Sequence, residues 1–207
     1  MARPTLFEYP PTRSNRAKWA LEELGVSYDK YLVSFPSGEQ SSPEYRKVHP
    51  LGKVPAYGLN GEIIFESIAI VMKLLDDHPE AGLAPSPTSP KRGLYYQWCV
   101  FAGSEMDHNL FDVMKHTMHL PNEVRNSEIS ERGKARLEEC SRVISAALDQ
   151  QDFLLGDSFS GADIAIGYCL NWMAYTGLLK DHPRLVEYYA LLEMRPAFER
   201  VFTPIKT

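Results

Sequence analysis

The 207-residue sequence predicts an α/β domain followed by an all-helical domain. Three observations carry this. Strand-like and helix-like patterns alternate over residues 1–78 in the order β-α-β-α-β-β-α. Residues 79–90 hold Pro79, Pro85, Pro87 and Pro90 with Gly82 and several Ser and Thr, which is linker composition. Over residues 91–207 strand signals vanish and apolar residues recur at helical spacing.

Taken in order, Thr5 to Tyr9 reads as a strand, and a Pro-Pro turn leads into a helix near Ser14. Ala17, Ala20, Leu21 and Leu24 give that helix an apolar stripe, and Gly25 is its expected stop. A second strand follows around Tyr28–Val33, then a Ser-, Pro- and Gly-bearing loop over 35–50 with one short helix near Glu44–Val48. Strands at Val54–Leu59 and Ile63–Phe65 are joined by Asn60-Gly61, a dipeptide suited to a tight antiparallel turn. Ser67–Asp77 is helical, with Ile68, Val71, Met72 and Leu75 expected on one side. In the second half the stripes are Leu94, Trp98 and Phe101; then Leu137, Cys140, Ile144 and Leu148; then Ile164, Tyr168, Trp172 and Tyr175. Ser160 and Asp163 have the spacing of a capping box, with Phe159 and Ile164 at the staple positions, which is a folding device.

Composition excludes several classes of function. Hydrophobic residues at 44% and charged residues at 24% are those of a chain that buries a core. The net charge of -5 and the lack of a Lys/Arg run argue against nucleic acid or acidic lipid as partner. No apolar run approaches the ~20 residues of a membrane span, and Met1-Ala2-Arg3-Pro4 leads into the first strand without an apolar signal core, so the expected location is cytoplasmic. Cys99, Cys140 and Cys169 are widely spaced and form no C-x-x-C pair, so reduced, buried thiols are expected.

Pro50-Leu51-Gly52-Lys53-Val54-Pro55-Ala56, followed by Phe65-Glu66-Ser67-Ile68-Ala69-Ile70, resembles the paired glutathione-site motifs of the glutathione transferase family. The preceding Leu21-Glu22-Glu23-Leu24-Gly25 and the later Ser160-Gly161-Ala162-Asp163 fit the same family, so the resemblance spans nearly the whole chain. It is that of a cytosolic-type, bacterial-like member whose subclass stays open. The resemblance implies a thioredoxin-like first domain that binds glutathione and a helical second domain that supplies the electrophile pocket. It also implies a homodimer, with the helix after Glu66-Ser67 of one subunit against the first long helix of the other.

The residue types suit these roles. An X-Pro bond tolerates the cis form, which at Val54-Pro55 would turn the Val54 backbone outward; in the family that backbone pairs with the cysteinyl unit of glutathione. Ser67 stands where strand becomes helix, so its hydroxyl and the free helical N–H groups can take the γ-glutamyl carboxylate, with Glu66 facing the α-ammonium. Lys53 is a candidate for the glycyl carboxylate, and Asp107 either reaches the partner subunit's glutathione ammonium or is a solvated aspartate. For thiol activation the family uses a Tyr, Ser or Cys after the first strand. Here Thr12 is the nearest hydroxyl, Ser14 the second choice with a cap at a helix beginning at Asn15 as its structural job, and Arg13 a supporting positive group. Tyr9 is either core or pocket wall. Phe111, Met114 and Met118 are either an adaptable pocket wall or core. His116, His119 and Asp112 have the spacing of metal ligands but no further ligand pattern, so no metal is expected. The implied activity is transfer of glutathione to a small electrophile. The alternatives are a glutathione-dependent disulfide reductase or peroxidase, and a non-catalytic glutathione-binding regulatory protein.

Overall fold

The computed structural model describes residues 3–202, so Met1 and Ala2 of the expected leaderless start lie outside the described residues. The chain divides into two compact units, residues 3–84 with 196–202, and residues 85–195. The sequence assigned everything after 90 to the helical half, whereas helix α8, Pro196–Val201, groups with the first unit.

In the first unit, β1 (Thr5–Glu8), β2 (Asp29–Leu32), β3 (Ala56–Leu59) and β4 (Glu62–Phe65) form one mixed sheet in the order β2-β1-β3-β4. β1 runs parallel to β2 and antiparallel to β3, and β3 and β4 form a hairpin with Ala56 opposite Phe65. This is the thioredoxin-like arrangement that the β-α-β-α-β-β-α reading implied, with one reduction: the second α between β2 and β3 is only a pair of 3-10 turns, Glu39–Ser41 and Tyr45–Lys47. Asn60 and Gly61 have φ of 53° and 85°, the left-handed pair that a two-residue hairpin turn requires.

Alternation along β1 sends Phe7 to one face, where its ring meets those of Tyr31 and Tyr45, and buries Leu6 on the other. Helix α1 (Ser14–Leu24) packs on α2 (Ser67–Asp77), and Gly25, at φ 64°, ends α1 as expected. The buried side of α2 is Ile70, Val71, Leu74 and Leu75. Ile68 and Met72, expected there, lie at its margin, because packing on α1 selects a stripe one step round the helix. Helix α8 closes on α1 through the rings of Phe198 and Phe202 against Trp19 and through Arg200 Nε donating to Glu22 at 2.8 Å.

The second unit begins with one long helical run: α3 (Arg92–Phe101), a π segment (Ala102–Asp107), α4 (His108–Met114) and a second π segment (Lys115–His119). Its buried stripe in α3 is Tyr95, Trp98 and Cys99, while Leu94 is exposed, one position off the expected stripe. Helix α5 (Ser127–Ala147) buries Leu137, Cys140 and Ile144 as expected, and Gly133 allows a close crossing: a Cβ there would meet Val113 Cγ2 at 2.8 Å. Helix α6 (Gly161–Tyr175) is buried on all sides from Gly161 to Leu170, so it is a central helix and not the one-faced element its stripe suggested. Helix α7 (Pro183–Glu193) completes the unit. The three cysteines form no disulfide and are buried, and burial raises the Cys140 thiol to about 11. No described helix is long and apolar enough to cross a membrane.

Candidate functional site

Three chain turns in the first unit carry most of the residues singled out in the sequence. After β1 the chain passes through a cis Pro10-Pro11 bond and reaches Thr12, which is partly exposed, and Ser14, which is fully buried. Ser14 does not cap a helix starting at Asn15. Helix α1 starts at Ser14 itself, the Arg13 side chain does not cap it, and Thr12 Oγ1 instead accepts the Ser14 N–H at 3.2 Å.

What surrounds the two hydroxyls limits where their protons can point. Ser14 Oγ accepts the Tyr9 N–H at 3.2 Å and lies 2.9 Å from Thr12 Oγ1. A buried Ser14 proton needs an acceptor, because an unsatisfied buried donor costs about 1–3 kcal/mol. Thr12 Oγ1, 2.9 Å away, is the acceptor within reach, and either oxygen of the pair can be the donor. With Ser14 as the donor of that bond, Thr12 Oγ1 keeps its own O–H for another acceptor. Tyr9 stacks on Phe35 at 4.6 Å and packs against Val33, Tyr45 and Val54, so it is a wall of this small core.

The second turn precedes β3. Gly52 sits at φ 61°, and a Cβ on it would lie 2.3 Å from the Gln40 carbonyl oxygen, so only glycine fits. The Tyr45 hydroxyl donates to the Lys53 carbonyl at 2.7 Å, and the Val54-Pro55 bond is cis. Neither the N–H nor the C=O of Val54 has a backbone partner among the described residues. That leaves an antiparallel edge for an extended peptide. The Lys53 side chain is exposed beside it. His49 braces this turn: its Nδ1 accepts the Leu51 N–H at 3.3 Å and its ring lies 4.8 Å from that of Phe65. Burial lowers the His49 imidazole, with Glu66 pulling it up and Lys53 pushing it down.

The third turn joins β4 to α2. Glu66 has φ 72°, a left-handed backbone unusual for a side-chain-bearing residue, and makes no side-chain cap bond. Ser67 is buried at its hydroxyl, which accepts Arg16 Nη1 at 2.8 Å. The start of α2 thus offers helical N–H groups to an anion, with the partial positive charge of the helix behind them. Sequence reasoning passed over Arg16 and His49. The signal for Arg16 was present, a charged residue four positions before Ala20 on the apolar side of α1; His49 lies in irregular chain and gave none.

In the second unit, Asp107 is buried at the end of the first π segment, Met114 is buried, and Phe111 and Met118 are exposed. No group of three or more metal-ligating side chains occurs among the described residues. His116 Nδ1 instead accepts the Asn126 N–H at 3.1 Å. The start of α6 is a complete capping box. Asp163, fully buried, accepts from the N–H and hydroxyl of Ser160, both at 2.8 Å, from the Leu154 N–H at 2.9 Å and from the Tyr188 hydroxyl at 2.6 Å. Burial raises its carboxyl even though these hydrogen bonds pull the other way.

Comparison with known proteins agrees with this architecture. The glutathione S-transferase N-terminal domain model matches residues 2–74 and the glutathione S-transferase C-terminal domain model matches residues 127–191. Glutathione S-transferase A of Pleuronectes platessa is 27% identical over 194 residues, covering 91% of this chain and 86% of its own length. Elongation factor 1-gamma of Carassius auratus is 29% identical over 216 residues, covering all of this chain but only 47% of the relative. Among solved structures, a glutathione transferase from Burkholderia graminis with two glutathione molecules bound per subunit superposes with a TM-score of 0.88 at 26% identity, over 99% of this chain and 90% of that one.

Proposed function

Since this chain belongs to the glutathione S-transferase family, we propose that it binds glutathione in its first unit and activates the thiol, through the Thr12 hydroxyl, for attack on a small electrophile. The observation that carries the reading is the hydroxyl pair after β1: Ser14 is buried with its oxygen 2.9 Å from that of Thr12, and Thr12 is partly exposed. A hydrogen bond to a thiolate sulfur favours the charged form and lowers the thiol pKa. The unpaired Val54 backbone suits the cysteinyl unit, and the Glu66-Ser67 start of α2 suits the γ-glutamyl unit. Lys53 stands ready for the glycyl carboxylate, and Arg13 adds positive charge near the sulfur. The resemblance assigns the electrophile to the helical unit, where Phe111 and Met118 are the exposed members of the expected set. It also assigns a cytoplasmic homodimer, with Asp107 facing the partner subunit's glutathione; a monomer by sedimentation at micromolar concentration would remove that part.

Thr12→Ala should raise the pKa of bound glutathione by about one unit, roughly 1.4 kcal/mol, and slow conjugation near pH 7 about tenfold with affinity nearly kept. Ser14→Ala should shift the thiol less and the melting temperature more. The check is the pH profile of thiolate absorbance and of conjugation rate for both variants, over a panel of electrophiles, disulfides and peroxides. A shift in Ser14→Ala alone swaps the two roles, and a shift in neither moves activation to backbone N–H groups or Arg13. A second reading, a glutathione-binding protein without turnover, draws on the match of the whole chain to elongation factor 1-gamma. Glutathione binding with no turnover on any substrate class would select it.

A further inference from the structure

Tyr45 is buried in the small core with Val33 and Val54, and its backbone is tied at both ends: its N–H donates to Ser42 Oγ at 3.1 Å, and its C=O accepts the N–H groups of Val48 and His49 at 2.8 and 2.9 Å. From that fixed base its hydroxyl donates to the Lys53 carbonyl at 2.7 Å. We infer that Tyr45 is a positioning residue for the ligand edge at Val54: by holding the Lys53 carbonyl inward, its hydroxyl makes the Val54 N–H point outward, to a carbonyl of the bound peptide. The inference rests on the glutathione-binding reading above and adds to it the group that aims one of the donors.

A trans peptide unit is planar, and its C=O and N–H point in opposite directions. The Lys53–Val54 bond is trans, so fixing the Lys53 oxygen fixes the Val54 N–H as well. Paired changes in Lys53 ψ and Val54 φ would turn this plane over with little effect on the chain on either side. The turned plane would present a carbonyl where the ligand also presents one. Tyr45 opposes that alternative, because no backbone donor among the described residues reaches the Lys53 carbonyl, and an inward carbonyl without a partner costs free energy. Burial pushes the Tyr45 phenol up, with Glu39 and Tyr31 adding to it, so the hydroxyl stays protonated and remains a donor. Phenylalanine keeps the ring that packs with Val54 and removes only the donor, which separates aim from packing.

The test titrates the full chain and its Tyr45→Phe variant with glutathione, with γ-glutamylcysteine amide, which keeps the cysteinyl carbonyl but lacks the glycyl unit, and with γ-glutamylcysteamine, which lacks both. Tyr45→Phe is expected to weaken the first two about tenfold and the third by less than about twofold. Equal losses for all three would mean a general loosening, a loss confined to glutathione would mean a glycyl effect, and no loss would mean no role. Each of these overturns the inference and leaves the glutathione reading intact. Absence of glutathione binding in the unaltered protein would overturn both. If Tyr45→Phe does not fold, proton resonances of the unaltered protein decide the matter. The Tyr45 hydroxyl proton is expected to stay protected from exchange with water when glutathione is bound, and the Val54 amide to move downfield with γ-glutamylcysteine amide but not with γ-glutamylcysteamine. A Tyr45 hydroxyl proton that exchanges freely in the complex, or a Val54 amide that moves equally with the two smaller ligands, refutes it.

Discussion

Two helix starts in this molecule face the same problem, orphaned N–H donors and a positive helix end, and solve it in opposite ways. At α6 the chain supplies its own acceptors: the Ser160 and Asp163 side chains, both buried, close the box, and Asp163 also takes the Leu154 N–H and the Tyr188 hydroxyl. At α2 the cap residue, Glu66, is held with a left-handed backbone, makes no side-chain cap bond and leaves the Ser67 hydroxyl to an arginine. A saturated helix start can do nothing but hold the fold. One left unsaturated gives up that stability and keeps its donors for a ligand.

The largest expected effect lies at the saturated end. Asp163→Ala should cost about 3–4 kcal/mol in chemical denaturation, above the ~0.5–2 of an ordinary cap, because four donors lose their buried acceptor at once. Glutathione affinity of the folded fraction should not change; a joint loss of both would dissolve the distinction. Ser67→Ala should do the converse, weakening glutathione by about 1.5–3 kcal/mol in calorimetry while costing only about 1 kcal/mol of stability through the stranded Arg16 bond. Smaller still, Glu66→Gly should stabilise the fold by up to about 1 kcal/mol by removing the left-handed strain, and weaken glutathione at the same time. A destabilised Glu66→Gly would mean that the conformation is not held at the expense of stability.

The smallest effect is one of pH. Burial lowers the His49 imidazole below its usual 6.5, so its contribution is present above that value and fades as pH falls through the lower folded one. Asp163 is shifted upward, so its contribution is already complete at low pH and is lost only as pH rises through its folded value. Lowering pH from about 7.5 to 5.5 should therefore lower the protection factor of the Leu51 amide, whose N–H His49 Nδ1 accepts, but not those of the first-turn amides of α6. An equal loss of protection at both would show a global and not a local loosening.

What could be read from the sequence was local. The Gly25 stop, the Asn60-Gly61 turn, the Ser160–Asp163 box and the Leu137–Ile144 seam each depend on residues within a few positions, and each is where it was expected. The Glu66-Ser67 pair was legible because strand and helix meet there. The stripes of α2 and α3 were half right: Val71, Leu75 and Trp98 are buried as expected, while Ile68, Met72 and Phe101 are half-buried and Leu94 is exposed, since the buried side of a short helix is chosen by what packs on it. Arg16 was missed because its partner is 51 residues away, and the π segments because one extra residue in a turn leaves no mark on the apolar pattern. The partnership of Thr12 and Ser14 was half legible: both hydroxyls were named, but which one is buried depends on Tyr9 N–H and the bend before it.

The placement of α8 has a consequence for how the protein is made. Glu22 and Arg200 are 178 residues apart, and the Trp19 ring that Phe198 and Phe202 cover belongs to the first helix synthesised. At ~5–20 residues per second, a ribosome takes roughly 10–35 s between the two. The first unit therefore emerges with its Trp19 surface open and waits for the last helix, while the whole of residues 85–195 is translated in between. The first unit is the earlier to begin folding and the later to finish, and a nascent chain stalled before Pro196 presents an apolar face that a holding chaperone can recognise.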